Sequence, residues 1–372
     1  MGMAMMNGKI IRQRWLMKRM IRLAAILLAV CLMVPATGMA IEEREDERGW
    51  VDFILVCNEG MNNSGGNAGN TMMVVSMNPD TGKIRLLMMQ WDTFIDYPGY
   101  DLPQKLDVPY RNNGPEETVR VFNMNFGMNI ELFMSLNYLN LASMIDEYGG
   151  VTIDISMAER NALNAMVASK KEAILQQVNL GLLTQFYADR LAEEYYLNEY
   201  GPSTKLKGLQ AVGYGWLQYD SVYNCCIREV EVVAALFTSV GRTIREKAVL
   251  YTDEYGAPAN PAGRRLINLD NMTDDDYAFF RQEMDPIFQM AYHNLSEADI
   301  HNISIALARA SYTGARQGFD ILDNLEYRIF PLEARNPYDS VAGAKGHLVD
   351  FEANKKAMEE FLFSDEMLPE EE

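Results

Sequence analysis

The chain has 372 residues and carries 52 acidic against 33 basic side chains, for a formal net charge of −19 at pH 7. Its 48% hydrophobic content excludes a disordered chain, and four cysteines are too few for a disulfide-dense scaffold. Residues 1–40 hold six of the basic side chains and no acid, so the remainder has 27 basic against 52 acidic residues, a net of −25. A body this acidic repels a phosphate backbone, which argues against nucleic-acid binding.

The amino terminus has the order of an export signal. A basic run from Lys9 to Arg22 precedes an apolar stretch of about 14 residues, shorter than the roughly 20 that a membrane span needs. Small residues follow at Gly38 and Ala40, as at a signal-peptidase site. We therefore predict a signal peptide over 1–40, cleaved after Ala40, and a charged linker over 41–48. An uncleaved membrane anchor is the alternative. Both interpretations make the protein extracytoplasmic, either secreted or tethered to the outer face of the cytoplasmic membrane.

The rest of the chain alternates apolar strands with amphipathic helices. Apolar runs predict strands over 51–56 and 151–155, and a hairpin that joins 71–77 to 83–89 through the turn at 78–82. Helical spacing and end signals predict helices over 115–126, 138–148, two within 158–200 with a break at 201–204, then 228–245, 273–293, 296–311 and 351–363. This alternation is typical of a layered α/β domain, and we assign it to 49–363, followed by an acidic tail over 364–372.

Three cysteines follow the predicted signal. Cys225 and Cys226 are adjacent in sequence and pair with each other only under strain. The favoured interpretation is three free thiols, and a bridge from Cys57 to Cys225 or Cys226 is the alternative if the fold brings them together. The three histidines have no metal-ligand spacing and CxxC is missing, which argues against a zinc site.

Seven short motifs occur in a fixed order along this region. They are TMMVVSMNP (71–79), QWDT (90–93) with PGY (98–100), KLD (105–107), YGGVTI (148–153), LKGLQAVGY (206–214), NLS (294–296) and LVDFEAN (348–354). In this order they resemble the LytR-CpsA-Psr (LCP) family of cell-envelope proteins, and the likeness runs from Val51 to about Phe363. The resemblance implies an exported α-β-α sandwich with a mixed central sheet and a small accessory hairpin.

The resemblance also implies a chemistry. Family members hold a glycopolymer linked to polyprenyl pyrophosphate, with the lipid tail in an apolar tunnel and the pyrophosphate beside Mg²⁺ at its mouth. They transfer the phosphoryl end of the polymer to a peptidoglycan sugar. Arginines bind the pyrophosphate and acids hold the metal, which suits a reaction that depends on positioning and charge neutralisation.

This sequence departs from the family pattern where the cations should lie. Lys105 and Arg228 occupy two of the cationic positions, and Cys225 lies near another aligned arginine. Neutral residues replace five aligned arginines: Met61, Ala68, Trp91, Trp216 and Gln218. Loss of one pre-organised charge-stabilising donor costs about 2.7–4 kcal/mol, so two such losses leave about a ten-thousandth of the rate or less.

We therefore expect a degenerate catalytic site in a non-catalytic or weakly active envelope protein. It would bind a polyprenyl (pyro)phosphate lipid or cell-wall glycan, or modulate active paralogues. The first alternative is an active glycopolymer transferase with a rebuilt pocket. In it Asp92, Lys105 and Arg228 serve catalysis and phosphate binding, while Glu59, Asp92 and Asp107 hold Mg²⁺. The second alternative is a structural or partner-binding module.

The resemblance assigns a substrate-binding role to a further set of residues: Thr93, Trp91, Trp216, Tyr214 and Gln218. The two tryptophans either pack as core in a closed pocket or stack on sugar and line a lipid tunnel. Cys57 and the 225–226 pair both align beside the family's active site, which is why the bridge remains an alternative.

Overall fold

The computed structural model describes residues 49–58, 69–179, 196–260, 262–317, 321, 325–332 and 338–364. The chain divides into two units, Met1–Arg48 and Gly49–Glu372, and every described residue lies in the second. The predicted signal or anchor, the charged linker and nearly all of the acidic tail lie outside the described residues. Among the described helices, none combines the length and apolar character that a membrane crossing needs.

The strands and helices are numbered separately in chain order. The strands are β1 (Val51–Asn58), β2 (Gly69–Met77), β3 (Ile84–Met89), β4 (Thr93–Ile95), β5 (Gln104–Lys105), β6 (Leu132–Asn137), β7 (Val151–Ile155), β8 (Gly201–Leu206), β9 (Ala248–Tyr251), β10 (Arg265–Asn268), β11 (Tyr292–His293), β12 (Leu325–Phe330), β13 (Tyr338–Val341) and β14 (Ala344–Leu348). The helices are α1 (Val108–Asn113), α2 (Pro115–Phe126), α3 (Tyr138–Glu147), α4 (Met157–Asn179), α5 (Gly208–Gly215), α6 (Val222–Lys247), α7 (Asp274–Met290), α8 (Glu297–Gln317) and α9 (Phe351–Phe363).

Six strands form a mixed central sheet in the order β11-β6-β1-β2-β3-β12. Strands β1 and β6 are parallel, as are β3 and β12, and the other neighbours are antiparallel. The register therefore brings the carboxyl ends of four strands to the same side of the sheet as the start of β2. We call this side the site edge and define it by Cys57, Thr71, Met89, Asn137 and Phe330.

The central sheet is buried on both faces. Successive side chains of β1 enter two separate cores: Phe53 and Leu55 join one, and Ile54 and Val56 join the other. Helices α3 to α8 contribute to the first core, and α1, α2 and α9 to the second. Because a strand side chain points to alternate faces, a strand with no polar alternation requires helices on both sides. The structure thus confirms the predicted α-β-α architecture with a mixed central sheet.

Outside the central sheet lie one four-stranded sheet, β13-β14-β4-β5, and two two-stranded sheets, β9–β10 and β7–β8. Strand β14 runs beside β4 with His347 opposite Thr93, and β4 pairs with β5 with Phe94 opposite Lys105. This small sheet fixes the backbone on either side of the predicted site residues 91–93 and 105–107.

Most predicted elements are confirmed. The hairpin is β2–β3, and the helices predicted from residues 115, 138 and 351 begin at those residues. The region 201–204, predicted as a helix break, is not helical and forms the start of strand β8. The first helix predicted within 158–200 is α4, whereas the second lies almost entirely outside the described residues. Strand β6, which the prediction omitted, has a serine between its apolar residues and pairs with β1 through contacts distant in sequence.

Gly208 sets the spacing between α5 and α3. A Cβ placed on it would lie 1.9 Å from the carbonyl oxygen of Ala142, and its N–H donates to the Asp146 carboxylate at 2.8 Å. A side chain at this position would therefore force the two helices apart. This contact explains physically why a glycine stands in the LKGLQ motif.

We expect Gly208→Ala to destabilise the domain, by about 1–3 kcal/mol or more, because overpacking against a backbone carbonyl has no cheap relaxation. The measurement is urea unfolding followed by circular dichroism. Gly215→Ala, in the same helix, is the matched control, because its Cβ would meet no atom closer than 3.6 Å. Equal stability of Gly208→Ala and the control would contradict this account of the packing.

Candidate functional site

Helix α6 carries an acidic side chain into the site edge. The helix begins after Ser221, whose side chain accepts a hydrogen bond from the Asn224 N–H and so caps its first turn. Two turns later Glu229 is buried, and its carboxylate is hydrogen-bonded by the side chain of Thr71 on β2. Burial raises the pKa of Glu229 well above its ordinary value, against the opposing effects of the Thr71 hydrogen bond and Arg228.

Asp92 enters the same region from the turn after β3. Its side chain is only 1% exposed, and neither carboxylate oxygen has a hydrogen-bond partner among the described residues. The backbone is held firmly, because the His347 N–H donates to the Asp92 carbonyl at 3.2 Å. Gly346 permits this approach, since a Cβ there would lie 2.1 Å from the same oxygen. The structure thus fixes a buried carboxylate without compensating it.

Three thiols lie around these two carboxylates. Cys57 is opposite Thr71 in the sheet register, and Cys225 and Cys226 lie in the first turn of α6. All three are buried free cysteines, and no bridge joins Cys57 to Cys225 or Cys226 in this structure. Burial, and secondly the Glu229 carboxylate, raise the pKa of each thiol, and Asp92 adds to this effect at Cys226. The thiols are therefore protonated and poorly nucleophilic near neutral pH.

Lys105 and Asp107 each have a partner close by. The Lys105 ammonium lies 4.7 Å from the ring centroid of Trp91, a cation–π contact. Asp107 accepts a hydrogen bond from Arg111 at 2.6 Å. Burial raises the pKa of Asp107, and Arg111 opposes that change. Trp91, which the resemblance predicts to replace an arginine, thus contacts Lys105 through its ring.

Arg228 is the second retained cation, and its side chain is only 4% exposed. The guanidinium donates to both carboxylate oxygens of Asp220, at 2.6 and 3.1 Å, and also to the Leu217 carbonyl. It lies 3.8 Å from Glu159. The hydrogen bond from Arg228 lowers the pKa of Asp220, so this pair is ionised at neutral pH. The guanidinium therefore already has a bidentate anion.

The predicted substrate-binding residues occupy separate surroundings. Thr93 is buried in β4, and Gln218 is exposed with its side chain hydrogen-bonded to the Cys225 thiol. Trp216 packs on Tyr138, with ring centroids 5.5 Å apart, next to the end of β6. The Tyr214 hydroxyl donates to Glu231 at 2.6 Å, away from Glu229. Trp91 therefore contacts Lys105, and Trp216 contacts Tyr138.

The structure gives the predicted residues different surroundings and partners. Asp92 lies close to Cys226, as Glu229 does, whereas Lys105, Asp107 and Arg228 each bind another partner. Arg85 lies near the opposite end of β3 and donates to Glu326 at 3.0 Å. A cavity of about 680 Å³ does occur, but its described lining comes from α3, the β7–β8 pair, α5 and the 196–199 segment, and includes none of the predicted site residues.

These side chains offer few free ligands to a magnesium ion. Glu59 lies outside the described residues, and Asp107 is bound to Arg111. Asp92 has two buried oxygens without a hydrogen-bond partner among the described residues, and Asp107 and Glu229 have one each. Within the described ranges no three acidic, histidine or cysteine side chains converge to hold a metal ion.

Two residues of this region were missed by sequence reasoning. Asp220 gave no signal, because a lone acid before a helix is ordinary. Glu229 was not singled out, since its burial depends on the position of α6 against β2. The one available clue was that the residues three and four positions away on the helix are apolar: Cys225, Cys226, Val232 and Val233.

Comparison with known proteins gives a consistent result. Residues 45–221 match the sequence profile of the LytR_cpsA_psr family. The chain is 27% identical over 132 residues to the Oceanobacillus iheyensis protein named polyisoprenyl-teichoic acid–peptidoglycan teichoic acid transferase TagU, covering 33% of this chain and 40% of that protein. It is 26% identical over 118 residues to regulatory protein MsrR of Staphylococcus aureus, covering 32% of this chain and 36% of MsrR. The matched segment thus spans about two fifths of the length of these curated relatives or less.

Solved structures share the fold. Protein gbs0355 of Streptococcus agalactiae superposes with a TM-score of 0.54 at 15% identity, covering 84% of this chain and 88% of that one. TagV of B. subtilis gives a TM-score of 0.53 at 12% identity over 85% and 98% of the two chains. A structure described as TagT bound to LI-WTA gives 0.53 at 12% identity, over 85% of this chain and 91% of that one. At these identities the likeness establishes the fold.

We expect Glu229→Gln to stabilise the protein at high pH relative to wild type, on the order of 1 kcal/mol. An acid whose folded-state pKa is raised contributes stability below its unfolded pKa, and that contribution is lost as pH rises through the folded value. Because the glutamine amide does not ionise, the Glu229→Gln variant does not lose this stability as the pH rises. The measurement is the melting temperature of both proteins at pH 5 and pH 8. Glu246→Gln, exposed on the same helix, is the control, and an equal response of the two variants would disprove a buried Glu229.

Proposed function

Because this chain belongs to the LytR-CpsA-Psr family through residues 45–221, we propose that it is an extracytoplasmic, transferase-like protein of impaired catalytic activity. It acts as a binder of polyprenyl-linked glycan, or as a modulator of active family members. Its relative TagU is named as a teichoic acid transferase that uses a polyisoprenyl-linked substrate and peptidoglycan. Since the chain spans only part of that relative, its activity, substrates and partners are proposals.

The observation that carries the proposal is the occupation of both retained cations. A diphosphate needs several donors free to meet its oxygens. Arg228 already donates to Asp220 and Leu217, and Lys105 faces the Trp91 ring. To bind a phosphate with Arg228, the protein would first have to break the bidentate pair with Asp220, whose side chain is 27% exposed. The phosphate would have to compete with this carboxylate for the same donors.

The buried acids also argue against the binding of a diphosphate. Asp92 and Glu229 are buried at the site edge, and both oxygens of Asp92 and one oxygen of Glu229 lack a hydrogen-bond partner among the described residues. A diphosphate brought to this place would meet carboxyl groups, which offer no positive charge, instead of guanidinium groups. Phosphoryl transfer depends on neutralising charge in the transition state, so this arrangement opposes the reaction.

One observation favours the alternative of an active transferase. Both oxygens of Asp92 are buried and free, which suits a ligand that brings positive charge. In that alternative Mg²⁺ would bind Asp92 together with Glu59, and Asp107 after release from Arg111, while Lys105 and Arg228 would hold the phosphates. The ion would supply charge neutralisation at the transferring phosphoryl group.

The test is transfer of a radiolabelled lipid-linked glycopolymer to peptidoglycan, with Mg²⁺ present and an active family member as positive control. We expect turnover at most about a ten-thousandth of the positive control, the size that two lost charge-stabilising donors would produce. We expect polyprenyl lipid to co-purify with the full-length protein and to be detected by mass spectrometry.

Two outcomes would overturn the proposal. Transfer comparable with the positive control, lost in Asp92→Ala but kept in Asp96→Ala, would establish the active alternative, because Asp96 is an exposed acid four residues further along. Absence of both transfer and co-purified lipid would leave a structural module.

A further inference from the structure

Two short segments expose four tyrosines. Tyr196 and Tyr200 lie just before β8, and Tyr219 and Tyr223 lie at the entry to α6. Their exposed fractions are 48%, 50%, 50% and 38%, respectively. We call these four residues the tyrosine platform. Exposed aromatic groups gathered in one region mark an interaction surface.

Tyr219 is held from below by a buried cation. The Arg228 guanidinium carbon lies 5.1 Å from the ring centroid, and that guanidinium is fixed in turn by Asp220 and the Leu217 carbonyl. One face of the ring is therefore occupied by the arginine. Because half of the side chain remains exposed, the opposite face is available to a ligand. The ring is positioned before any ligand arrives, which reduces the entropy cost of binding.

Tyr200 repeats this arrangement. The Arg160 guanidinium carbon lies 5.0 Å from its ring centroid. The two arginine–tyrosine pairs are neighbours, because Glu159, which precedes Arg160 in the first turn of α4, lies 3.8 Å from Arg228. The start of α4 therefore links the two pairs, through Arg160 at Tyr200 and through Glu159 at Arg228.

The acidic side chains around the platform favour an uncharged ligand. Asp220 and Glu159 satisfy Arg228, and the exposed Asp154 lies on the adjoining strand β7. The arginines face the rings and these acids. A polymer of phosphates would be repelled by the acids and by a body with 27 basic against 52 acidic residues after residue 40, a net of −25. An uncharged ligand with an apolar face avoids this penalty.

We propose that the tyrosine platform binds an uncharged glycan strand, with sugar rings stacked on Tyr200 and Tyr219; this inference deepens the function proposed above and rests on it. The C–H face of a pyranose ring is apolar and carries a weak positive potential. It therefore packs well on the electron-rich face of an aromatic ring. Burial, and then the carboxylates of Asp220 and Glu159, raise the pKa of Tyr219, so its phenol stays neutral and is able to donate a hydrogen bond to a sugar oxygen.

The experiment measures binding of a β-1,4-linked N-acetylglucosamine hexamer to the full-length protein in detergent, by isothermal titration calorimetry. Inorganic polyphosphate is the polyanion probe. We expect the wild type to bind the hexamer and not the polyphosphate. The double variant Tyr200→Ala, Tyr219→Ala should weaken hexamer binding at least about ten-fold, or about 1.4 kcal/mol. The Tyr200→Phe, Tyr219→Phe variant keeps both rings and should stay within about two-fold of wild type.

The chain offers a matched control. Tyr255 is 52% exposed and its ring centroid lies 3.2 Å from the Arg316 guanidinium carbon, so it is also an arginine-backed tyrosine. It follows the far end of α6, a helix of 26 residues and therefore about 39 Å long. We expect Tyr255→Ala to bind the hexamer as wild type does. The melting temperature of each variant verifies that it is folded.

Three outcomes would overturn the inference: no hexamer binding by wild type, an equal loss in Tyr255→Ala, or tighter binding of polyphosphate than of the hexamer. Co-purified polyprenyl lipid is measured on the same proteins, and the double alanine variant should retain it. Hexamer binding without lipid in the wild type would remove the lipid-binding function and leave the platform standing. Co-purified lipid without hexamer binding would remove the platform and leave the lipid-binding function standing.

Discussion

A buried guanidinium binds only the anions close to it, and the anion that Arg228 binds is a carboxylate of the same chain. Asp220 accepts from it at two positions, and the Leu217 carbonyl takes a further donor. This pairing ties the start of α6 to the turn that precedes it and positions Tyr219 above the guanidinium. It also withdraws from ligand binding one of the two cations retained from the family pattern. The same contact therefore stabilises the fold locally and limits the chemistry of the site.

The acids at the site edge make this limit more severe. Burial disfavours the charged form of a carboxyl group unless a cation or several donors compensate it. For Glu229 the compensation comes from Thr71 and Arg228 and is outweighed by burial. In most anion-binding sites, positive charge is arranged before the ligand arrives. At the site edge the described residues place two buried carboxyl groups instead, Asp92 and Glu229.

The sequence predicted those parts of the fold that local patterns encode. Strand β1, the β2–β3 hairpin and helices α2, α3 and α9 follow from apolar runs, turn residues and end signals. Strand β6 was missed because its pairing with β1 joins residues about 80 positions apart, as Val56 and Ser135 do. In the site, the sequence located Asp92, Lys105 and Arg228 by resemblance. Their partners could not be predicted, because contacts such as Trp91–Lys105 and Glu229–Thr71 depend on how elements pack.

Three cations of this region, Lys105, Arg228 and Arg160, make the same kind of contact, which relates the predicted site to the tyrosine platform. Lys105 lies over Trp91, Arg228 over Tyr219 and Arg160 over Tyr200. A cation over a ring has part of its charge satisfied by the ring's electrons, so it attracts a phosphate less than a free one does. The contact with the cation also fixes the orientation of the ring. At Trp91 a ring stands in the place of an aligned arginine, so the substitution that removes a phosphate ligand also creates an aromatic surface. A region built this way favours ligands with apolar faces over ligands with charge, and sugar rings have such faces.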